Sequence, residues 1–289
     1  MIDPKIKIGV VGLGYVGLPL AVEFAKKFHV VGFDISKDRI DSLLKNHDKT
    51  LMVSKKELSD FNGKFSAKDQ DLAKCNIYIV TVPTPIDRGK KPNLNPLINA
   101  SEIISKSLSK KDIVVFESTV YPGATEEICV PVLEKSGLKY NKDFFCGYSP
   151  ERINPGDKKH SVENIKKVVA IETNKKNILY KVKAIYKTIS KKIVLSQFIK
   201  EAETSKVIEN VQRDLNIALM NEIFLICEKL KINFNEVKKL ALTKWNFHNY
   251  SPGLVGGHCL PVDPYYLAYI AKKKNYPSNV ILSGRKVNN

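Results

Sequence analysis

Residues 5–34 read KIKIGVVGLGYVGLPLAVEFAKKFHVVGFD, and this stretch decides the fold of the first part of the chain. A β-branched run leads into Gly12, Gly14 and Gly17 in GxGxxG spacing, and a helical pattern follows. In a strand–turn–helix unit the first glycine permits the tight turn, the second lets backbone approach a pyrophosphate, and the third lets helix and strand pack closely. The helix N-terminus favours the anion. The spacing therefore predicts a dinucleotide site.

Asp34 ends the predicted second strand, where a carboxylate can accept hydrogen bonds from both hydroxyls of a ribose. The same carboxylate repels a 2′-phosphate, so the sequence favours NAD over NADP. A purely structural glycine turn is the alternative, but strand, turn, helix, second strand and acid occur here in register. We also expect Tyr15, Val16 and Arg39 to contact the cofactor.

Strand-like and helix-like patterns alternate up to about residue 195. The predicted strands are Ile6–Val11, Val30–Asp34, Ile77–Val82, Ile113–Phe116, Phe144–Tyr148, Lys167–Ile171 and Lys192–Leu195. The predicted helices lie near 15–27, 37–46, 94–108, 123–135 and 174–187. This alternation predicts an α/β fold, a Rossmann-like doubly wound parallel sheet with helices on both faces.

From about residue 200 the pattern becomes all-helical. Residues 201–230 contain no Gly or Pro, which predicts one unusually long helix. Further helices are predicted near 235–242, near 264–274 and from 278 onward. We therefore predict an NAD-binding domain over residues 1–199 and an all-helical central domain over 200–289.

The composition excludes several classes of protein. A hydrophobic fraction of 43% and a charged fraction of 27% are those of a globular chain, not of a disordered or fibrous one. The five cysteines are an odd number without a CxxC pair, which argues against a disulfide scaffold and against a metal site. The uncharged run at residues 8–22 is too short to span a bilayer, so we expect a soluble, cytoplasmic protein without a membrane partner.

The net charge of +17 suggests a polyanionic partner, but its makeup argues otherwise. Five of the 47 basic residues are Arg, whereas proteins that read nucleic acids depend on Arg for bidentate contacts. We therefore expect a solvated, Lys-rich surface, including the dense stretch at residues 156–200, and no nucleic-acid partner. Attraction of an anionic small substrate would be a secondary effect of this charge.

Residues 253–267 read GLVGGHCLPVDPYYL and place Cys259 four residues before Asp263. A thiol in a glycine-rich loop is a poor core residue and a good candidate nucleophile. The alternative is a buried thiol, with Asp263 merely capping a helix that begins at Pro264. On these residues alone, both interpretations stay open.

Six segments together resemble the UDP-glucose/GDP-mannose dehydrogenase family along essentially the whole chain. They are GLGYVGLPLA (12–21), TVPTP (81–85), ESTVYPG (117–123), GYSPERINPGD (147–157), ETSKVIENVQRDLNIALMNE (203–222) and GGHCLPVDPYY (256–266). The phrases SPERINPGD, TKWNF and GGHC-xx-VDPYYL are typical of the branch that acts on UDP-N-acetylhexosamines. Members of this family oxidise nucleotide sugars at C6 with two NAD.

The resemblance assigns chemistry to matching residues. It implies that Cys259 is the nucleophile and that Lys206 and Asn210, four apart on the long helix, line the reacting carbon and stabilise an oxyanion. It implies that Glu151 and Thr119 position a water or act as acid and base. Either Glu151 or Asp263 would activate the water that hydrolyses a thioester.

Other matching residues are implied to bind ligands. Thr84 and Thr119 are implied to contact the cofactor. The residues implied to contact the nucleotide sugar are Tyr148, Glu151, Lys206, Asn210, Gly253, Gly256 and Gly257. For Arg213, one turn beyond Asn210, a substrate or interface contact and a surface ion pair stay open.

Two departures point away from UDP-glucose. The residue before Asp263 is Val262, where the glucose-type enzymes have Lys. Pro155 stands where those enzymes have a second Glu. The implied reaction is a four-electron oxidation of a UDP-N-acetylhexosamine, of the UDP-N-acetylglucosamine type, for surface polysaccharide or glycan precursors. The alternatives are a UDP-glucose 6-dehydrogenase and a non-enzymatic NAD sensor or nucleic-acid binder.

The long helix carries apolar residues on more than one stripe, and a second stripe suggests a partner helix. The resemblance implies a homodimer through this element. It also implies a third, UDP-binding domain that this sequence lacks. We therefore expect this chain alone to bind NAD and to oxidise UDP-sugars poorly.

Overall fold

The computed structural model describes residues 4–152, 164–257 and 259–289. It divides into two compact units: unit 1 comprises Met1–Thr84 and Asn93–Lys206, and unit 2 comprises Pro85–Pro92 and Val207–Asn289. The division falls inside the long helix, beyond the expected boundary between residues 199 and 200. That domain boundary stays a prediction.

Unit 1 is built on one sheet that, in the described residues, has eight strands in the order β3-β2-β1-β4-β5-β6-β7-β8. The strands are β1 (Lys7–Val11), β2 (His29–Phe33), β3 (Gly63–Ser66), β4 (Ile77–Val80), β5 (Ile113–Phe116), β6 (Phe145–Tyr148), β7 (Lys166–Ile171) and β8 (Lys192–Ser196). The Rossmann-like α/β fold is confirmed. Because β4 and β5 lie mid-sheet between helices, every residue of both strands is buried.

The direction of β7 corrects the expected all-parallel sheet. β7 runs antiparallel to β6, with Gly147 opposite Ile171 and Tyr148 opposite Ala170, whereas β8 is parallel to β7. A parallel neighbour of β6 would need a crossover connection, usually a helix. The sequence between β6 and β7 has Pro150 and Pro155 and no helical repeat, which suits an antiparallel return.

Helices cover the sheet of unit 1. They are α1 (Gly17–Ala25), α2 (Lys37–Leu44), α3 (Lys55–Ser59), α4 (Asn95–Ser105), α5 (Val130–Leu133) and α6 (Lys176–Tyr186), with shorter turns at Asp69–Lys74, Thr125–Cys129 and Glu134–Ser136. The helix expected at 123–135 is therefore broken into a π-helical turn, a single α-turn and a 3₁₀ turn. Pro131 is part of the reason, because it lacks the N–H that would continue a preceding helix.

Unit 2 contains most of α7 (Ile199–Leu230), with α8 (Phe234–Ala241), α9 (Asp263–Lys273) and α10 (Asn279–Asn288). The predicted long helix is confirmed. A buried ion pair joins α10 to α7, with Arg285 Nη1 lying 2.6 Å from Asp214 Oδ1. Gly284 permits this approach, since a Cβ there would overlap the side chain of Leu215.

Within the ranges that the structure describes, none of the helices has the length and apolar character needed to cross a membrane. The cytoplasmic location stays a prediction.

Candidate functional site

The glycine turn after β1 has the form expected of a pyrophosphate cradle. Gly12 has φ +94° and its N–H donates to the carbonyl of Phe33 at 2.8 Å. A Cβ on Gly17 would overlap the Gly12 carbonyl oxygen, whereas a Cβ on Gly14 would meet no atom within 4 Å. The turn is thus closed on its inner side and open at Gly14, where α1 begins three residues later. This arrangement fits a phosphate-bearing cofactor.

Tyr15 and Val16, both expected to contact the cofactor, differ in their surroundings. Tyr15 is 49% exposed to solvent. Val16 is the residue before α1 and packs partly against the core of unit 1. In the structure its side chain supports the turn, and its backbone lies at the N-terminus of the helix.

Asp34 lies directly after β2 and is half-buried. Its Oδ2 accepts the N–H of Leu13 at 2.8 Å, and its Oδ1 accepts the N–H of Ser36 at 2.9 Å. An ionised carboxylate has about four acceptor positions, so capacity for ribose hydroxyls is left. The backbone bonds hold the carboxylate in place before a ligand arrives.

Arg39 has a structural role that its motif position did not indicate. Its Nε donates to the Leu13 carbonyl at 2.8 Å, and its Nη1 lies 2.8 Å from Oδ1 of Asp48, which is almost fully buried. Burial raises the pKa of Asp48, but hydrogen bonds from Thr50, Arg39 and Val53 outweigh this and leave the pKa below its ordinary value. The Arg39–Asp48 pair therefore braces the glycine turn, and no motif marks Asp48.

Two threonine hydroxyls beyond the carboxyl end of β4 donate to backbone carbonyls of the neighbouring loops. Thr84 Oγ1 donates to the carbonyl of Thr119 at 2.6 Å, and Thr81 Oγ1 donates to the carbonyl of Gly12 at 2.6 Å. This is the sheet edge at which α/β folds bind ligands. The structure thus places the two predicted cofactor contacts, Thr84 and Thr119, side by side.

Glu203, which the sequence did not single out, holds the loop that continues from Thr119. Its buried carboxylate accepts the N–H of Thr125 at 3.0 Å and that of Gly123 at 2.5 Å. Burial raises the pKa of Glu203 to about 7, and these hydrogen bonds lower it only in part. The beginning of α7 therefore fixes the loop that carries Thr119.

Glu151 lies buried rather than open at the sheet edge. Its Oε2 accepts from Lys167 Nζ at 2.8 Å, and its Oε1 accepts the N–H of Arg152 at 2.6 Å. The expectation of a solvated lysine surface over 156–200 covers residues 156–163, which lie outside the described residues. Within 164–200, Lys167 corrects it, because its side chain is fully buried. A lysine in a Lys-rich stretch gives no sequence signal for such a position.

Tyr148, on β6, is fully buried in unit 1. The structure therefore does not present its ring to the surface, and its contact with a nucleotide sugar stays a prediction. Lys206 lies on α7, where it is the last residue of unit 1, and it is half-buried.

In unit 2 the Cys259 thiol is exposed, while the other cysteines, all in described segments, are buried. The alternative of a buried structural thiol is thereby wrong. The alternative role of Asp263 as a helix cap is also wrong, because α9 begins at Asp263 and Val262 precedes it as the cap. The Cys259 carbonyl instead accepts the N–H groups of Val262 at 3.0 Å and of Asp263 at 2.8 Å.

The Asp263 side chain is 1% exposed and its Oδ2 accepts from Asn210 Nδ2 at 2.5 Å. α7 and the start of α9 are thereby joined through two of the predicted catalytic residues. The hydrogen bond fixes the Asn210 amide against the carboxylate of Asp263, which follows Cys259 by four residues in the sequence.

The predicted glycines of the Cys259 loop are all exposed, and Gly257 has φ +85°. Asn221, on α7, holds Gly253 from both sides: its Nδ2 donates to the Gly253 carbonyl at 3.1 Å and its Oδ1 accepts the Gly253 N–H at 2.7 Å. Asn221 was missed because an amide on a helix has no spacing signal. Arg213 is exposed on α7, and its role stays open.

Comparison with protein-family models now identifies both parts of the chain. Residues 6–190 match the NAD binding domain of the UDP-glucose/GDP-mannose dehydrogenase family, and residues 200–289 match its central domain. The chain belongs to the UDP-glucose/GDP-mannose dehydrogenase family. The predicted cofactor, NAD, and the predicted class, an NAD-dependent nucleotide-sugar dehydrogenase, are confirmed.

Known relatives within the family support the predicted branch. The chain is 57% identical over 286 residues to the UDP-N-acetyl-D-glucosamine 6-dehydrogenase of Pseudomonas aeruginosa, covering 98% of this chain and 67% of that protein. It is 50% identical to the enzyme of the same name from Salmonella typhi, covering 98% and 67%. The chain thus spans about two thirds of the length of these relatives.

A solved structure agrees in fold. The UDP-D-ManNAc dehydrogenase from Pyrococcus horikoshii superposes with a TM-score of 0.89 at 32% sequence identity, covering 98% of this chain and 68% of that one.

Proposed function

We propose that this chain catalyses the oxidation of the C6 alcohol of UDP-N-acetyl-D-glucosamine to the uronate. The product would serve as a precursor of surface polysaccharide. Two relatives named UDP-N-acetyl-D-glucosamine 6-dehydrogenase are 57% and 50% identical to it. Relatives named UDP-N-acetyl-D-mannosamine dehydrogenase are 34% and 32% identical. Val262, in place of the Lys of glucose-type enzymes, also argues against UDP-glucose.

The observation that carries the proposal is the arrangement around Cys259 in unit 2. The thiol is exposed, the backbone carbonyl of Cys259 accepts the N–H groups of Val262 and Asp263, and Asp263 and Asn210 are hydrogen-bonded to each other. A nucleophile needs an accessible sulfur on a fixed backbone, with polar groups held near it.

The residues of unit 1 fit NAD. Gly12 and Gly14 would hold the pyrophosphate at the N-terminus of α1, and Asp34 would accept hydrogen bonds from a ribose. Thr84 and Thr119 would contact the cofactor at the adjacent sheet edge. When bound, NAD would serve as the hydride acceptor, and a four-electron oxidation uses two NAD.

Cys259 explains how an alcohol can reach the acid level. Once C6 is an aldehyde, the Cys259 Sγ adds to it, a C–S bond forms, and the aldehyde oxygen takes a proton. Lys206 and Asn210 would stabilise the negative charge that develops on this oxygen. The thiohemiacetal keeps the carbon on the enzyme until the second oxidation gives a thioester.

The thioester is then hydrolysed. Asp263 or Glu151 would take a proton from a water whose oxygen attacks the carbonyl, the C–S bond breaks, and the thiolate of Cys259 leaves. The N-terminal position of Asp263 on α9 and its bond to Asn210 hold one of these two carboxylates in place.

The proposal is tested by incubating the chain with NAD and a panel of UDP-sugars, and by measuring the NADH formed per UDP-sugar consumed. We expect two NADH per UDP-N-acetyl-D-glucosamine, and the ratio does not depend on how fast the reaction runs. A ratio of one would indicate a one-step dehydrogenase. A preference for UDP-glucose would support the alternative substrate. No NADH from any UDP-sugar, with DNA retained on a gel, would favour the non-enzymatic alternative.

A further inference from the structure

A buried chain of polar side chains lies beneath the carboxyl edge of the sheet in unit 1. Lys167 Nζ, on β7, donates to Glu151 Oε2 at 2.8 Å and to Glu117 Oε2 at 2.5 Å. On the far side, Tyr186 Oη, from the end of α6, donates to Glu117 Oε1 at 2.6 Å. Lys167, Glu117 and Tyr186 are fully buried, and Glu151 is 6% exposed.

The backbone brings these groups together. Glu117 follows β5, and its N–H donates to the Val80 carbonyl at 2.8 Å. Ser149, two residues before Glu151, donates its N–H to the Phe116 carbonyl at 2.9 Å and its hydroxyl to the Val168 carbonyl at 2.7 Å. Antiparallel pairing of β6 and β7 sets Lys167 opposite the segment that leaves β6. Lys167 lies on β7, and the two glutamates lie on the segments that directly follow β5 and β6.

The two carboxylates favour the charged form of the lysine. Burial lowers the pKa of Lys167, but the charges of Glu117 and Glu151 outweigh this and hold the pKa above its ordinary value. Burial, together with the charge of Glu151, raises the pKa of Glu117 although Lys167 opposes the rise. A buried carboxylate is stable when it is paired, so loss of the ammonium would remove the ion pair that Lys167 makes with Glu151.

We propose that Lys167 is a positioning residue, which holds the carboxylate of Glu151 where it takes the proton of the hydrolytic water, and that Glu117 anchors Lys167. This inference rests on the proposed function and deepens it: of the two candidate carboxylates, Glu151 rather than Asp263 takes the proton in thioester hydrolysis. In this role Lys167 contacts neither the substrate nor the cofactor. Its effect falls on one step: water oxygen attacks the thioester, Glu151 receives the proton, and Cys259 leaves as thiolate.

The test is the time course of NADH with UDP-N-acetyl-D-glucosamine in Lys167→Met. Both oxidations precede hydrolysis, so slowed hydrolysis gives a burst of two NADH per active site and then a slow phase. We expect kcat to fall about 100-fold, the scale of a lost general base, with the Kd for NAD unchanged. The thioester should appear in the intact mass of the protein. Lys167→Arg, which restores a buried cation with several donors, should remove the burst.

Tyr186→Phe is the matched control, because it removes a hydrogen bond to Glu117 and leaves the Lys167–Glu151 pair intact. We expect no burst from this variant. A second variant is needed in case Lys167→Met alone fails to fold. Lys167→Met with Glu117→Leu removes one positive and one negative charge together, so the net buried charge is unchanged. It should show the same burst as Lys167→Met.

Several outcomes would overturn the inference. Unchanged kcat without a burst in folded Lys167→Met or in the double variant would do so, as would equal loss of both oxidations and hydrolysis. Wild-type chain that yields no NADH with any UDP-sugar would overturn the proposed function instead. In that case crystal structures decide the positioning role: it requires the Glu151 carboxylate to move in the Lys167→Met variants and to stay in Tyr186→Phe.

Discussion

Gly14 and Gly17 differ in the space around them, and this separates binding from folding. A Cβ on Gly17 would overlap the carbonyl of Gly12, whereas a Cβ on Gly14 would meet nothing within 4 Å. We predict that Gly17→Ala lowers the free energy of unfolding by about 1–3 kcal/mol, the usual cost of overpacking.

Gly14→Ala should instead keep the unfolding free energy within about 0.5 kcal/mol of wild type. It should weaken NAD by at least about 10-fold, since the added methyl group occupies the space where the pyrophosphate approaches backbone. Urea unfolding and calorimetry measure the two effects on the same samples. Equal NAD affinity in Gly14→Ala and wild type would show that the pyrophosphate lies elsewhere.

Asp34 determines the choice between the two nicotinamide cofactors. Its carboxylate is held by the N–H groups of Leu13 and Ser36, so it cannot easily turn away from a 2′-phosphate. We predict that wild type binds NAD at least about 100-fold more tightly than NADP, and that Asp34→Ser narrows the gap mainly by improving NADP. Equal binding of both cofactors by wild type in calorimetry would contradict this.

At the scale of elements, α7 and the loop at 119–125 are joined through a titrating group. Burial raises the pKa of Glu203 to about 7, above the ordinary value of 4.5. Folding therefore favours the protonated form, and this contribution to stability is present below about pH 4.5 and is lost as the pH rises through about 7. We predict that Glu203→Gln loses less stability than wild type between about pH 5 and pH 8.

The measurement is urea unfolding of wild type and Glu203→Gln across that range. Asp112, whose pKa is raised to about 6 by burial, contributes a slope of the same sign to both proteins, so the difference between them isolates Glu203. Parallel curves would show that Glu203 does not titrate in this range.

The sequence predicted those elements whose signal is local. The GxGxxG turn, the apolar runs of β4 and β5 and the uninterrupted α7 each follow from neighbouring residues. The predicted direction of β7 was wrong because strand pairing depends on residues that are distant in the sequence. The burial of Lys167 and the Arg39–Asp48 brace were not predicted for the same reason: one lysine or aspartate looks like any other until the fold brings its partner close.

At the scale of the whole molecule, the self-association proposed for this chain depends on the exposed apolar side chains of α7. In unit 2, Leu225 is 60% exposed and Leu230 is 63% exposed. We predict a symmetric homodimer that covers this face. Light scattering at micromolar concentration should give twice the mass of the chain, and Leu225→Lys with Leu230→Lys should shift it to the monomer. A wild-type monomer would contradict the prediction.

The central claim is that Cys259 carries the carbon through the second oxidation. Its most direct test is the yield of UDP-uronate from UDP-N-acetyl-D-glucosamine and NAD in Cys259→Ala, with Cys227→Ala, a buried thiol of the same unit, as the control. We predict no uronate from Cys259→Ala, and a yield close to wild type from Cys227→Ala. Uronate formed by Cys259→Ala at the wild-type rate would show that no covalent thioester is needed, and the mechanism would be wrong.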